Sequence, residues 1–427
     1  MQRRTLLAAV PAALAAVGTA GCSSGDSDGP VTLRFLSLAW QKDSIAANKK
    51  LVAAWNAKHP DITVKYVQGS WDNVHDQLVT AFEGGDAPDV IHDESPDIAG
   101  FAAQNYLQDM TDLLPSALKS DISQQSWDTV TFAGGGIYGV PFLQESQIFV
   151  ANRKLLTQAK VRIPTVDAPW SWDEYAEVCR KLTVKGKQYG VAWPLSAPVN
   201  KVLNLSLNFG GTFFGTSGGK TTVHVGDNER QVLQRIHAQL WTDHSADPAT
   251  VGMKGADPLP AYFAGKYAMV PAGVYFRQQV VQGAPKGFDW VTIPPLKGTS
   301  QHQGATSQTL SIPADGEHQK EAMQFIAFLL NGTNQATLAL GDWLVPTSRK
   351  AATDPRLTTT KDDWNVATAS QKDLVVAPYL KVDGFDEWKT KVATPAMQQY
   401  FNNKISLDAL ADKLVSDGND VLKRYQK

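Results

Sequence analysis

Between Val31 and Glu94 the hydrophobic period alternates between that of a strand and that of a helix. Val31 to Leu38, VTLRFLSL, reads as a first strand. A helix follows with Leu51, Val52 and Trp55 on one face, stopping at His59-Pro60 because the residue before a proline is pushed out of the helical region. Ile62 to Val67 is a second strand. Val74, Leu78 and Phe82 sit at i, i+4 and i+8 of a second helix that ends at Gly84-Gly85. Pro88 to Ile91 is a short buried strand running into His92-Asp93-Glu94. Strand, helix, strand, helix, strand predicts a parallel, doubly wound α/β sheet. In such sheets ligands collect beyond the carboxyl ends of the strands. Trp40, Gln41, Trp71, Asp93 and Glu94 fall at element ends of that kind.

A second feature is Gly134 to Asn152, GGGIYGVPFLQESQIFVAN. The glycines give a tight turn, Ile137, Tyr138 and Val140 begin a strand, and Pro141 is expected to end its regular pairing. Gln144-Glu145-Ser146-Gln147 then separates this strand from a second apolar run, Ile148-Phe149-Val150. A carboxylate between two buried strands is unfavourable unless it has a partner or lines a cavity. The chain is therefore expected to pass here from one lobe to another, across the floor of a cleft.

Further along, strands and helices alternate again. Tyr189 to Trp193 is a strand. Ala268-Met269-Val270 is another, and Gly273 leaves room for Tyr275 and Arg277 to approach a bound solute. Ala305 to Pro313 reads as a return strand, and Asp342-Trp343-Leu344-Val345-Pro346 follows a helix ending at Gly341. The tail from Ser406 to about Tyr425 is helical.

The start of the chain has its own logic. Arg3 and Arg4 precede an apolar run, Leu6 to Val17, that is too short to span a bilayer. Residues 1–21 are expected to be a signal peptide. Thr19-Ala20-Gly21-Cys22 resembles a bacterial lipobox, which implies a diacylglyceryl group on Cys22. Residues 22–30 are too polar and glycine-rich to fold, and read as a flexible tether. Without the leader, 38 basic residues face 42 acidic ones. That balance carries no electrostatic footprint for nucleic acid. Cys179, the one remaining thiol, lies in an amphipathic helix and is expected to be buried. The eight histidines show no metal-ligand spacing, so no metal or cofactor is expected.

Taken in order, GGDAPDV at 84–90, YGVP at 138–141, Trp172-Asp173-Glu174, FAGKYAMVPAG at 263–273, and the FLLNG and GDWLVP pieces of 325–346 resemble one family. It is the solute-binding lipoproteins of bacterial carbohydrate ABC importers, the maltose-binding-protein-like type. The resemblance implies a two-lobed α/β periplasmic-binding-protein fold with hinge strands and a ligand cleft between lobes. Crossings near Phe142, Thr306 and Val345 would give one lobe of 31–142 plus 306–345 and another of 143–305 plus 346–427. It implies a non-enzymatic monomer, lipid-anchored on the outer side of the cell membrane, that hands a mono- or oligosaccharide to ABC permease subunits.

A sugar offers an apolar C–H face to flat rings and a rim of hydroxyls to carboxylates, amides and guanidinium groups. Trp40, Trp71, Trp193, Tyr275 and Trp343 are the expected stacking residues. Gln41, Asp93, Glu94, Glu145 and Arg277 are the expected hydroxyl contacts. Other solutes on the same fold, such as a polyol, sugar phosphate or polyamine, remain open, and a glycosidase using a carboxylate pair is the distant alternative.

Overall fold

The computed structural model describes residues 29–426. The signal peptide, Cys22 and most of the tether expected over 22–30 lie outside the described residues. Among the described residues no helix is long and apolar enough to cross a membrane.

The early pattern folds as its periodicity predicts. Strands Val31–Ser37, Ile62–Gln68 and Val90–Glu94 alternate with helices Lys42–Asn56 and Val74–Glu83. The first helix buries Leu51, Val52 and Trp55 and the second buries Val74, Leu78 and Phe82, each the apolar stripe of its sequence. Val31–Ser37 pairs in parallel with both neighbouring strands. The sheet is not parallel throughout. Its six strands run in the order Val345–Pro346, Val140–Gln144, Ser307–Ser311, Val90–Glu94, Val31–Ser37, Ile62–Gln68. Ser307–Ser311 is antiparallel to both its neighbours, because it arrives from the other lobe rather than through a helical crossover.

The second sheet has four strands in the order Trp290–Ile293, Gln147–Asn152, Tyr267–Gly273, Tyr189–Val191. Trp170, Tyr175, Trp193 and Trp388 are fully buried in the core on one side of it. Burying an aromatic of this size contributes roughly 1.5–3 kcal/mol relative to leaving it in water. Cys179 belongs to the same core, and burial pushes its thiol far above the ordinary range, so it is held as an unreactive apolar group.

Pro141 does not end the strand that contains it. It lies inside Val140–Gln144, where the register against Ser307–Ser311 slips by one residue between Gln308 and Thr309. A bulge is where a strand tolerates the missing proline donor.

The chain changes sheets between Gln144 and Gln147 and again between Ala305 and Ser307. The third change comes later than Val345. Thr347 Oγ1 still donates to Pro141 O at 2.7 Å, and Ser348 still bonds to Asp121 on the first lobe. Leu374–Val376 then pairs with Gln303–Ala305, and Ser370 meets Ser146. Hydrogen bonds lace these segments together. Gln303 accepts from Gln147 N at 2.7 Å and donates to Gln147 O at 2.8 Å, while Gln144 Nε2 donates to Ser307 Oγ at 3.0 Å. They are laced by polar contacts that can be re-made in a new geometry, as a hinge requires.

Candidate functional site

A continuous cleft lies between the two sheets, directly over the Glu145-Ser146 crossing. On the first-lobe side is a cavity of about 310 Å³ reached by Trp40, Gln41, Trp71, Gln308 and Asp342. On the second-lobe side is one of about 320 Å³ reached by Asn200, Lys201, Asn204, Tyr379, Asp386 and Lys389. Glu94, Glu145, Tyr275 and Thr306 line both. A wider groove of about 830 Å³ continues outward past Tyr379, Phe385 and Asp386 toward Tyr138 and Tyr425.

Glu145 occupies the middle because the chain has no room to place it elsewhere. Its strand ends at Gln144, and the carboxylate lies against the backbone of Gly273. A Cβ at Gly273 would stand 2.1 Å from Glu145 Oε1 and 2.7 Å from the Tyr275 ring. Glycine is needed here for space; the backbone angles are ordinary. Gln147 Nε2 donates to Oε1, and Lys201 lies close enough to favour the charged form. Burial outweighs both and raises the Glu145 carboxyl to about 7. The same burial lowers Lys201 to about 8, and its ammonium donates to the carbonyls of Pro194 and Pro271, each at 3.3 Å. Gly273→Ala is expected to push Glu145 and Tyr275 off position and weaken solute binding about tenfold or more with the sheet intact. Calorimetric titration beside circular dichroism checks this.

Glu94 closes the first-lobe edge. Burial raises its carboxyl to about 7, and the neighbouring Asp97 carboxylate pushes the same way. Asp93 and Glu94 occupy successive positions of one strand, so they point to opposite faces. Glu94 lines the cleft. Asp93 is 0 % exposed and turns inward, with Oδ1 accepting from Glu94 N at 2.8 Å.

The expected site residues divide by the same rule. Trp40, Gln41, Trp71, Glu94, Glu145 and Tyr275 are brought together. Trp40 is 52 % exposed and meets Tyr275 edge to face at 6.4 Å, and Trp71 packs edge-on to His92 at 5.5 Å. Asp93, Trp193, Arg277 and Trp343 are not among them. Trp193 is 0 % exposed, its indole packed against Phe149 and donating to Gln239 at 2.8 Å, while its neighbour Pro194 faces the cleft. Trp343 caps a helix with φ 55°, and this left-handed turn sends its indole away while Asp342 and Leu344 line the cavity. Trp343 packs at a tilt against Trp364, with ring centroids 5.3 Å apart. Arg277 lies over the Trp364 ring at 4.3 Å and donates to the carbonyls of Val274 and Asp362. Two residues along a helix turns a side chain about 200° from its neighbour, so Tyr275 and Gln279 share the cleft face and Arg277 does not.

Sequence reasoning passed over Gln147, Lys201, Thr306, Asp342, Tyr379 and Lys389. Gln147 was visible as part of the polar break at 144–147, and Asp342 stood beside the chosen Trp343. Lys201, Tyr379 and Lys389 had no local signal; Lys201 reaches the cleft from the helix Val199–Ser206, and Tyr379 and Lys389 from short helical segments nearly two hundred residues later.

Two α/β lobes joined by three hydrogen-bonded crossings, with a polar, aromatic-lined cleft above them, define a two-lobed solute-binding protein. Residues 40–336 match the family described as bacterial extracellular solute-binding protein, and the chain belongs to it. It is 53 % identical over 392 residues, 91 % of this chain and 86 % of the relative, to the uncharacterized lipoprotein in the oleD 5' region of Streptomyces antibioticus. Its fold is similar to the sugar-binding protein MalE of Xanthomonas citri, with TM-score 0.80, 20 % identity, and 92 % and 98 % of the two chains covered. It is also similar to UgpB of Mycobacterium tuberculosis in complex with glycerophosphocholine, with TM-score 0.78, 19 % identity, and 93 % and 100 % covered. This is a family of binding proteins, not of enzymes.

Proposed function

We propose that the chain captures a sugar or oligosaccharide outside the cell membrane and delivers it unaltered to the permease subunits of an ABC importer. The observation that carries this reading is the convergence of Trp40, Trp71 and Tyr275 with Glu94, Glu145 and the amides of Gln41, Gln147 and Gln308 in one cleft. Flat rings cover the C–H face of a pyranose, and carboxylates and amides satisfy its hydroxyls. In this reading the hinge comprises 144–147, 303–307 and 370–376, and solute binding draws the lobes together about it. The protein acts as a monomer, held at the membrane by lipid on Cys22.

A thermal-shift panel of mono- to oligosaccharides tests capture. A solute present at a hundred times its Kd stabilises the folded state by about 2.7 kcal/mol, which is readily seen as a raised Tm. No shift with any saccharide removes the reading. Cys22→Ser is expected to release the protein from membranes in fractionated cells while leaving solute affinity unchanged, since two acyl chains are the anchor and the cleft is remote from them. Continued membrane association of that variant removes the lipid assignment.

A further inference from the structure

The two halves of the cleft differ in charge. Glu94 and Glu145 line both halves, and their basic neighbours stand on the second-lobe side. Lys201 faces Glu145, and Lys389 lies 3.0 Å from Asp386 and near Glu94 and Asp97. On the first-lobe side Glu94, Glu145 and Asp342 line the cavity, and among the described residues no Lys, Arg or His side chain does. His92, behind Trp71, adds no charge, because burial lowers its imidazole to about 4. The helix Lys42–Asn56 begins at this cavity and the helix Gly332–Asp342 ends there. Their dipoles oppose one another, so the side chains decide the local potential.

A second observation is independent of the acids. Gln41 is 6 % exposed and lines the same cavity. Its Nε2 donates to Asp342 O at 3.2 Å, but its Oε1 accepts nothing. A buried amide oxygen without a donor is costly, and at the wall of this cavity it favours a solute that brings a hydrogen-bond donor. Acceptors therefore surround this space, and the remaining walls are Trp40, Trp71 and Tyr275. Carboxylates and aromatic faces are the two groups that attract an ammonium most strongly. A hydroxyl satisfies the acceptors; an ammonium satisfies them and also holds the carboxyls in their charged form. A metal ion is a poor match, since among the described residues no group of three or more His, Cys, Asp or Glu side chains is placed to hold one.

We propose that the captured solute carries a protonated amine, which lies in the Trp40–Trp71–Tyr275 half against Glu94, Glu145 and Asp342. Its neutral, hydroxylated part lies over Asn200, Lys201 and Lys389. The substrate class is an amino sugar or amine-bearing glycoside. This rests on the capture reading and narrows it.

The test is calorimetric titration of the purified protein with matched sets: glucosamine oligomers, their N-acetylated counterparts and cello-oligosaccharides, with further amine-bearing and neutral glycoside pairs run by thermal shift. At least one amine-bearing member is expected to bind about tenfold or more tighter than its neutral partner, and N-acetylation is expected to erase the difference. Asp342→Asn, and separately Trp40→Ala at its exposed position, are expected to narrow that ratio. If neutral sugars bind as tightly as their amine partners, the cation assignment falls and capture stands. An amine preference unchanged in both variants overturns its placement. If no saccharide of either kind binds, capture and cation fall together.

Discussion

Glu145→Ala is expected to lower solute affinity about a hundredfold or more, the largest loss from any single truncation in the cleft. The reason is position. Glu145 lines both halves of the cleft and is the acid that faces Lys201. A hydrogen bond to a charged group contributes about 1.5–3 kcal/mol, and a carboxylate spanning two cavities offers two of them. At 1.4 kcal/mol per decade, two such bonds correspond to a hundredfold or more. Glu145→Gln separates charge from shape. It keeps the size of the side chain and removes the buried carboxylate charge, but it also leaves the buried Lys201 without its acidic partner. The two effects offset, and the solute-free variant is expected to differ little in stability from the parent at pH 8. Isothermal titration and chemical denaturation of the two variants read both effects. A Glu145→Ala protein that binds its solute as the parent does would remove Glu145 from the site.

The second large effect is a stability that falls as pH rises. Burial raises Glu94 and Glu145 from 4.5 to about 7 and Asp342 from 3.8 to about 6. Glu94 also faces Asp97, Asp386, Lys389 and Glu145, and Glu145 faces Lys201. Tyr275 and Tyr379 stay neutral, since the Glu145 charge raises the first and burial the second. Between pH 4.5 and 7 the folded state holds more protons than the unfolded chain on these carboxyls. Stability therefore decreases with rising pH across that window. Lys201 works the other way at higher pH. Lowered to about 8 from 10.5, it makes the unfolded chain the better proton binder between those values, so its cost is relieved as pH climbs through them.

The three carboxyls lie close together and titrate as a coupled set, so their shifts do not simply add. His92, lowered from 6.5 to about 4, works against this below pH 6.5 and offsets part of the loss. A net fall of about 1–2 kcal/mol between pH 5 and 7.5 is therefore expected, the equivalent of roughly one pKa unit on one group. Denaturation of the solute-free protein at those two values measures it. A solute that donates to these carboxylates stabilises their charged form and flattens the profile, and at pH 6.5 its binding releases protons. Calorimetry in buffers of different ionisation enthalpy detects that release. A solute-free protein as stable at pH 7.5 as at pH 5 would contradict the burial of these groups.

Much of the fold was legible because it rests on local rules. The strand and helix periods of 31–94 were correct in kind and close in boundary. At the polar break Gln144–Gln147 the chain passes from the six-stranded to the four-stranded sheet, and a charged residue between two apolar strands has few other places to go. The third crossing was misplaced because Val345–Pro346 completes the first sheet, and Thr347 and Ser348 remain bonded to that lobe. Nothing local in GDWLVP announces those partners.

Part of the candidate lining was legible to within one residue, and the part supplied by Lys201, Tyr379 and Lys389 was not legible at all. Asp93-Glu94, Trp193-Pro194 and Asp342-Trp343-Leu344 all border the cleft, and the structure chose which member of each faces it. Composition and period determine that an element exists and which residues are apolar. They do not determine which of two adjacent faces meets the other lobe, because side chains alternate on extended backbone and one left-handed residue, such as Trp343, reverses the choice. The sequence alone determined an exported, two-lobed α/β binding protein. Only the tertiary structure decided that Glu94, Glu145 and Asp342 gather beside three aromatic rings, with Lys201 and Lys389 reaching the first two from the opposite wall, since that gathering depends on contacts between distant segments.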